Sequence, residues 1–305
     1  MNFLGSKKKW WFIISGLIIL PGILSLIFWG LNFGIDFKGG TILELRINPP
    51  GGEARNKDLK TEEIKDMLKP LNLPGLTIVL TGDKTVLIKT APIEKETVDK
   101  EKETLKAKYN EIEEVRYESV GPVVGKDLRN KALWAVGLAC LFIILYIAYA
   151  FRNIPRPYSS FKFGLSAVLA LIHDILVVIG VFSIVGHFTG YEVDAYFITA
   201  LLTVLGFSVH DTIVVFDRVR ENLRRLPGAD FEAVANESIT QTLGRSISTS
   251  FTVILTLLAL FLIGGQSIKP FILALLIGVT TGTYSSIFNA TPLLVLWQRK
   301  KKEAM

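Results

Sequence analysis

The chain has 305 residues, half of them hydrophobic, and a mean hydropathy of +0.42; one soluble core of this size would not hide so much apolar surface, so a bilayer is the expected solvent. A net charge of +6 would suit nucleic acid, but outside one long polar loop the Lys and Arg fall beside apolar runs, where they read as topology signals, and no nucleic-acid partner is expected. The one cysteine, Cys140, sits inside an apolar run with no intrachain partner for a disulfide or a thiolate metal cluster.

Lys7, Lys8 and Lys9 ahead of an apolar stretch imitate a signal peptide. The stretch from Trp10 to Leu31 is nevertheless long enough to span, and it closes on Gly30-Leu31-Asn32-Phe33 with no A-x-A-like cleavage site. Six stretches reach the roughly 20 apolar residues that a spanning helix needs: Trp10 to Leu31, Ala132 to Phe151, Phe163 to Val185, Ala195 to Val215, Ser246 to Ile263 and Phe271 to Trp297. The fifth is least defined at its start, where Arg245 leads into a Ser- and Thr-rich turn. Cationic segments resist translocation. The N-terminal lysines, Arg152, Arg156 and Lys162, the set Arg218, Arg220, Arg224 and Arg225, and the tail from Arg299 to Lys302 therefore belong on one side, and both termini are expected in the cytoplasm. The chain divides into a cytoplasmic N-terminus with the first span (1–31), an extracytoplasmic domain (32–129), spans two to six (130–298) and a basic tail (299–305).

Within the polar segment, Thr41 to Ile47 alternates like a strand, and Thr61 to Leu71 has helical spacing with Ile64, Met67, Leu68 and Leu71 on one face. Leu76 to Leu80 and Thr85 to Lys89 flank Gly82-Asp83, a hairpin signal. Glu94 to Tyr109 reads as a charged helix and Val115 to Val120 as a last short strand. The order βαββαβ matches a ferredoxin-like split unit. The fold class is thus a polytopic α-helical membrane protein, six transmembrane helices, with an α+β ferredoxin-like extracytoplasmic domain between the first two. That domain shows no nucleophile with a partner base, no metal-ligand spacing and no phosphate loop, so it reads as a binding or lever module and no cofactor is expected.

Ionisable groups deep in hydrocarbon are costly, which makes them the best functional clue in such a chain. His173 and Asp174 lie in the third span, and His210 and Asp211 in the fourth. At 1.5 Å per residue, Asp174 is about 18 Å inward from Lys162 and Asp211 about 10 Å from Arg218. Desolvation penalises a carboxylate there, so proton uptake and release is chemically reasonable; the plainer reading is an Asp that joins helices by hydrogen bonds. Helical neighbours point about 100° apart, so His210 and Asp211 are not expected to face each other within one helix. A metal site built from these four residues lacks a ligand pattern. Arg245, Ser248, Thr249, Thr252 and Thr256 form a polar stripe on the fifth span. Thr199, Thr203, Gly206 and His210 do so on the fourth, and Gly278, Gly282, Ser285 and Asn289 on the sixth. Such seams allow close packing or wet contacts, and Arg245 also suits an interfacial anchor.

Three segments carry a family resemblance: Phe33-Gly-Ile-Asp-Phe-Lys-Gly-Gly-Thr41 after the first span, Leu205 to Asn222 in the fourth, and Asn236 to Ser250 entering the fifth. With these segments in order, the sequence resembles the SecF family, relatives of the resistance-nodulation-division transporters, and the resemblance covers nearly the whole chain. The resemblance implies a non-enzymatic subunit that works with a SecD-like subunit and the Sec channel complex in the cytoplasmic membrane, using the proton-motive force to draw unfolded preprotein outward. It also implies that Asp211 and Arg245 stand where the family conducts protons; Asp174 and His210 are further relay candidates by their place in the spans alone. His210 departs from the Asn common in the family. Moving one charge across the membrane potential supplies about 2.3 kcal/mol per 100 mV, enough to bias a two-state bundle. The junction motif, Gly34, Asp36, Phe37, Gly39 and Gly40, joins the domain to the first span as hinge or ordinary turn. A proton-driven small-molecule exporter of the same superfamily is the alternative, but a larger outer domain is expected of it. An intramembrane aspartyl protease would need a GxGD context that neither Asp has, and a pure scaffold would tolerate neutralisation of Asp211.

Overall fold

A computed structural model of the chain describes residues 3–5, 8–48, 59–81, 84–109, 111–155 and 157–299. The expected turn at Gly82-Asp83, Lys7, Arg156 and the tail from 300 onward lie outside the described residues. In chain order the elements are α1 (Lys8–Phe28), α2 (Ile35–Lys38), β1 (Gly40–Asn48), α3 (Thr61–Leu68), β2 (Thr77–Leu80), β3 (Thr85–Thr90), α4 (Lys95–Lys106) and β4 (Glu111–Val120). They continue with α5 (Pro122–Ala150), α6 (Ser160–Thr189), α7 (Ala195–Arg225), α8 (Phe231–Ile263), α9 (Lys269–Ser285), a π-helical turn (Ser286–Ala290) and α10 (Thr291–Arg299). Two compact units result, one made of residues 33–133 with 265–267 and the other of the remaining chain.

In the smaller unit a four-stranded sheet runs in the order β2-β3-β1-β4 with every pair antiparallel. Leu43, Leu45 and Ile47 of β1, Val86 and Ile88 of β3, and Ile64, Leu68, Val98 and Leu105 of the helices form its core. β4 begins four residues before the expected Val115, because Ile112 pairs with Ile47 while Glu113 beside it is exposed. That alternation is obscured in the sequence by the charge run. At the junction, Gly39 and Gly40 both have positive φ, +80° and +157°. A Cβ on Gly40 would come within 2.7 Å of Ile35 Cγ2, and one on Gly39 within 3.1 Å of the Pro122 backbone. This pair of glycines answers close packing of β1 against neighbouring chain, while Phe37 between them and Gly34 is buried.

Six helices among the described residues are long and apolar enough to cross a membrane. α6, α7 and the α9–α10 run supply the interior, whereas α5 and the far half of α8 are largely uncovered. α1 reaches α6 through small residues: a Cβ on Gly22 would lie 2.8 Å from Gly180 Cα, and Ser25 and Ser183 share a hydrogen bond of 2.7 Å. Such contacts replace the hydrophobic drive that hydrocarbon cannot supply. The Asp194 side chain caps α7 by accepting from Phe197 N at 2.8 Å. At the other end of the bundle Phe151, Phe163, Phe216 and Phe231 pack edge and face at 5.3–6.3 Å. The N-terminal segment docks there as well. Leu4 is fully buried, Phe3 N donates to Asn236 Oδ1 at 2.7 Å, and Lys8 pairs with Glu232 at 2.9 Å.

The fifth span differs from expectation. α8 starts at Phe231, fifteen residues before Ser246, and passes through Arg245 without a turn. Phe231, Val234, Ala235, Ser238, Ile239 and Thr242 supply a buried stripe at helical spacing. The hydroxyls of Thr249 and Ser250 return to the carbonyls four residues earlier, so they do not break the helix.

Candidate functional site

The two intramembrane carboxylates sit in different polar clusters. Asp174 on α6 is fully buried and joins α6 to α7 and α9: Ser208 Oγ and Ser285 Oγ, the latter at 2.7 Å, both donate to its Oδ2. His173 Nδ1 lies 2.9 Å from Asp174 Oδ1. A helical neighbour therefore does meet its Asp here. The expectation that adjacent residues diverge fails because the imidazole is long enough to turn back along the helix surface once both side chains are driven into the same interior.

Asp211 on α7 is 2% exposed and joins α7 to α9 and α8. Thr283 Oγ1 donates to its Oδ2 at 3.2 Å and Ser250 Oγ at 3.5 Å, while the two hydroxyls lie 2.6 Å apart. Each hydroxyl owns a single proton, and Val279 O and Ser246 O compete for them at 2.9 and 2.8 Å. Asp211 is thus served by long bonds, and Asp174 by short ones. His210 Nδ1 stands 3.7 Å from Asp211 Oδ1, beyond hydrogen-bond reach, on a side chain that is 65% exposed.

Arg245 lies on the exposed face of α8, and among the described residues it makes no ion pair with Asp211 or any other carboxylate. It precedes Ser250 by about one and a half turns on the same helix. Of the three small-residue seams, that of α9 is buried against α7: a Cβ on Gly282 would meet Ser208 Cβ at 3.0 Å and one on Gly278 would meet Val204 Cγ2 at 2.1 Å. Those of α7 and α8, from Thr199 to His210 and from Arg245 to Thr256, are exposed. The chain thus turns a hydroxyl-rich face with a guanidinium and an imidazole outward, and Asp211 lies just beneath it.

Residue-type reasoning found both carboxylates but missed Ser208, Ser250 and Thr283 as their donors. One signal was present: Ser250 follows Ser246 by four, continuing a polar stripe.

The family profile described as "Protein export membrane protein SecD/SecF, C-terminal" matches residues 100–300, and that of the "SecD/SecF GG Motif" matches residues 25–50. The "Protein translocase subunit SecF" of Thermobaculum terrenum is 44% identical over 301 residues, covering 95% of this chain and 92% of that protein. The "Protein translocase subunit SecDF" of Bacillus subtilis is 36% identical over 302 residues, which are 97% of this chain but 38% of the relative. The crystal structure of SecDF from Thermus thermophilus superposes with a TM-score of 0.81 at 32% identity, covering 98% of this chain and 39% of that one. The chain therefore spans nearly the whole of the SecF relatives and about two-fifths of the SecDF chains.

Proposed function

The chain belongs to the SecD/SecF family of protein-export membrane proteins, and from that premise we propose that it is a SecF-type subunit which uses the proton-motive force, with a SecD-like partner, to draw unfolded preprotein outward through the Sec channel complex. A role in protein export as a multi-pass membrane protein follows from the family itself. Relatives in which SecD and SecF names are fused in one chain support the association with a SecD-like subunit. The exposed polar seams of α7 and α8 are the surfaces that such a partner would cover. The sheet order β2-β3-β1-β4 with helices after β1 and β3 supports the ferredoxin-like reading of the outer unit.

The observation that carries the proton-driven reading is Asp211: a carboxyl almost fully buried among spanning helices, held by two long hydroxyl bonds and lying beneath an exposed face that bears Arg245 and His210. A guanidinium arriving from that face would favour the carboxylate, and its withdrawal would favour the protonated form. Alternation between the two would couple proton passage to movement of α7 against α8. Asp211→Asn keeps size and hydrogen bonding but removes the titration. It is expected to abolish the stimulation of preprotein translocation by an imposed proton gradient in inverted vesicles, while the chain still inserts and copurifies with its partner. Arg245→Lys keeps the charge and loses the planar fork, and a partial defect is expected. Wild-type stimulation with Asp211→Asn would reduce this residue to a helix-joining hydrogen bond.

The cationic flanks orient the bundle with both termini in the cytoplasm and the outer unit opposite. Lys100→Cys in a Cys140-free chain is expected to react with an impermeant thiol reagent added outside intact cells. Protection until lysis would reverse that orientation.

A further inference from the structure

α9 serves both carboxylates. Ser285 donates to Asp174 and Thr283 donates to Asp211, two residues apart on one helix and therefore on diverging faces. Just before Thr283, Gly282 lets α9 lie closely on α7, and Ser208, the residue it rests on, is Asp174's other hydroxyl donor. Directly after Ser285 the helix widens into the π-turn from Ser286 to Ala290, where Thr291 Oγ1 donates to Ser286 O. Ser286 pairs with Thr212 Oγ1 at 2.9 Å, one turn along α7 from Ser208. Ser285 and Ser286 are consequently both fully buried, each held by a different group. π-turns are uncommon and gather at functional positions, where they absorb a change in helix register.

Asp174 differs from Asp211 in having no exposed face beside it: it is enclosed by α6, α7 and α9, and its donors are short. We propose that Asp174 is a positioning residue and not a link in the proton path: through Ser208 and Ser285 it pins α9 to α7, and so sets the register at which Thr283 meets Asp211, with the adjoining π-turn as the flexure. The inference rests on the reading of Asp211 as the titrating group. It narrows the relay from four candidate residues by assigning one of them to geometry.

The test is the pH profile of gradient-driven translocation in vesicles holding the full chain with its SecD-like partner. The groups that bear on Asp211 in that profile are His210 on its own helix, Arg245 on α8, and His173 and Asp174 on α6; between Pro270 and Gln298 the α9–α10 run carries no charged residue. Asp174→Asn retains an oxygen for the serines and is expected to keep gradient-driven activity within about fivefold of wild type, as the loss of one charge-assisted bond allows. Ser285→Ala, a milder change that also guards against a misfolded Asp174 variant, is expected to move the midpoint of the profile by about one pH unit. Thr283→Val should move it in the same direction, and the double variant no further than Thr283→Val alone, since Ser285 acts through Thr283. Abolition of the gradient response by Asp174→Asn in an inserted, partner-bound chain would make Asp174 a relay member and overturn the proposal. So would additive shifts from Ser285→Ala and Thr283→Val, or no shift from Ser285→Ala. Retained stimulation in Asp211→Asn would instead remove the parent reading, and this inference with it.

Discussion

The outer unit and the membrane bundle solve packing in opposite ways. The outer unit buries large aliphatics, with Leu43, Leu45, Ile47, Ile64 and Leu68 each at most 1% exposed. The bundle places its closest approaches at glycine and serine: Gly22 on Gly180, Ser25 on Ser183, Gly282 on Ser208. Water surrounds the first and rewards every apolar area removed from it. Lipid is as apolar as a leucine, so in the second only close van der Waals contact and hydrogen bonds distinguish helix from tail. The same contrast governs buried carboxyls. Asp174 and Asp211 reside where hydroxyls from two other helices reach them, whereas Glu101, on the core-facing side of α4 and 1% exposed, has an Oε1 with no hydrogen-bond partner among the described residues. Burial in the bundle is thus matched by donors from neighbouring helices, and burial in the smaller unit is not.

Leu45→Ala should destabilise the outer unit by about 2–5 kcal/mol through the cavity it leaves, read as faster amide exchange across β1 and β3 in the full chain, with the bundle unaffected. Glu101 comes next. Burial raises its pKa from 4.5 to about 7 against the weaker opposing pull of Lys102. Because the folded unit binds this proton more tightly than the unfolded one, its stabilisation is complete below pH 4.5 and is lost as pH rises through about 7. Glu101→Gln should remove about 2–3 kcal/mol of that pH dependence, so that exchange rates in α4 become flat across the interval. In the bundle the sign of volume reverses. Gly180→Val should cost about 1–3 kcal/mol by forcing α1 from α6, seen as a lower melting temperature in detergent, where a larger residue in the outer core would merely compete with its neighbours. Smallest is the Lys8 pair with Glu232. Lys8→Glu should cost about 1 kcal/mol, and Glu232→Lys in the same chain should restore it.

Six spans and two intramembrane carboxylates were legible because length, hydropathy and a charge in an apolar run survive any helix rotation. Their donors were not. Ser and Thr in spanning helices commonly return to their own carbonyls, as Thr199, Thr203, Thr252 and Thr256 do, so composition cannot say which hydroxyl faces a carboxyl on another helix. The start of α8 was misplaced for a related reason: a run of Ser and Thr around Arg245 looks like a turn until their side chains are seen to bond four residues back. The seams on α7, α8 and α9 were found by spacing, yet which seam is buried depends on how the helices rotate. In the smaller unit the strands and the hydrophobic faces of α3 and α4 were legible, since a period of two and a helical stripe are local properties, but the end of α3 at Leu68 and the start of β4 at Glu111 were not.

The proposed coupling requires that one carboxyl in the bundle, Asp211, take up and release a proton. Infrared titration of the full chain with its partner, in a Glu101→Gln background so that the outer unit's own buried acid is silent, measures this directly. Over the background of the exposed carboxyls, a protonated-carboxyl component that grows at higher pH than they do, persists in Asp174→Asn and is missing from Asp211→Asn is the predicted result. A band unchanged in Asp211→Asn, or one lost with Asp174→Asn instead, would contradict the account.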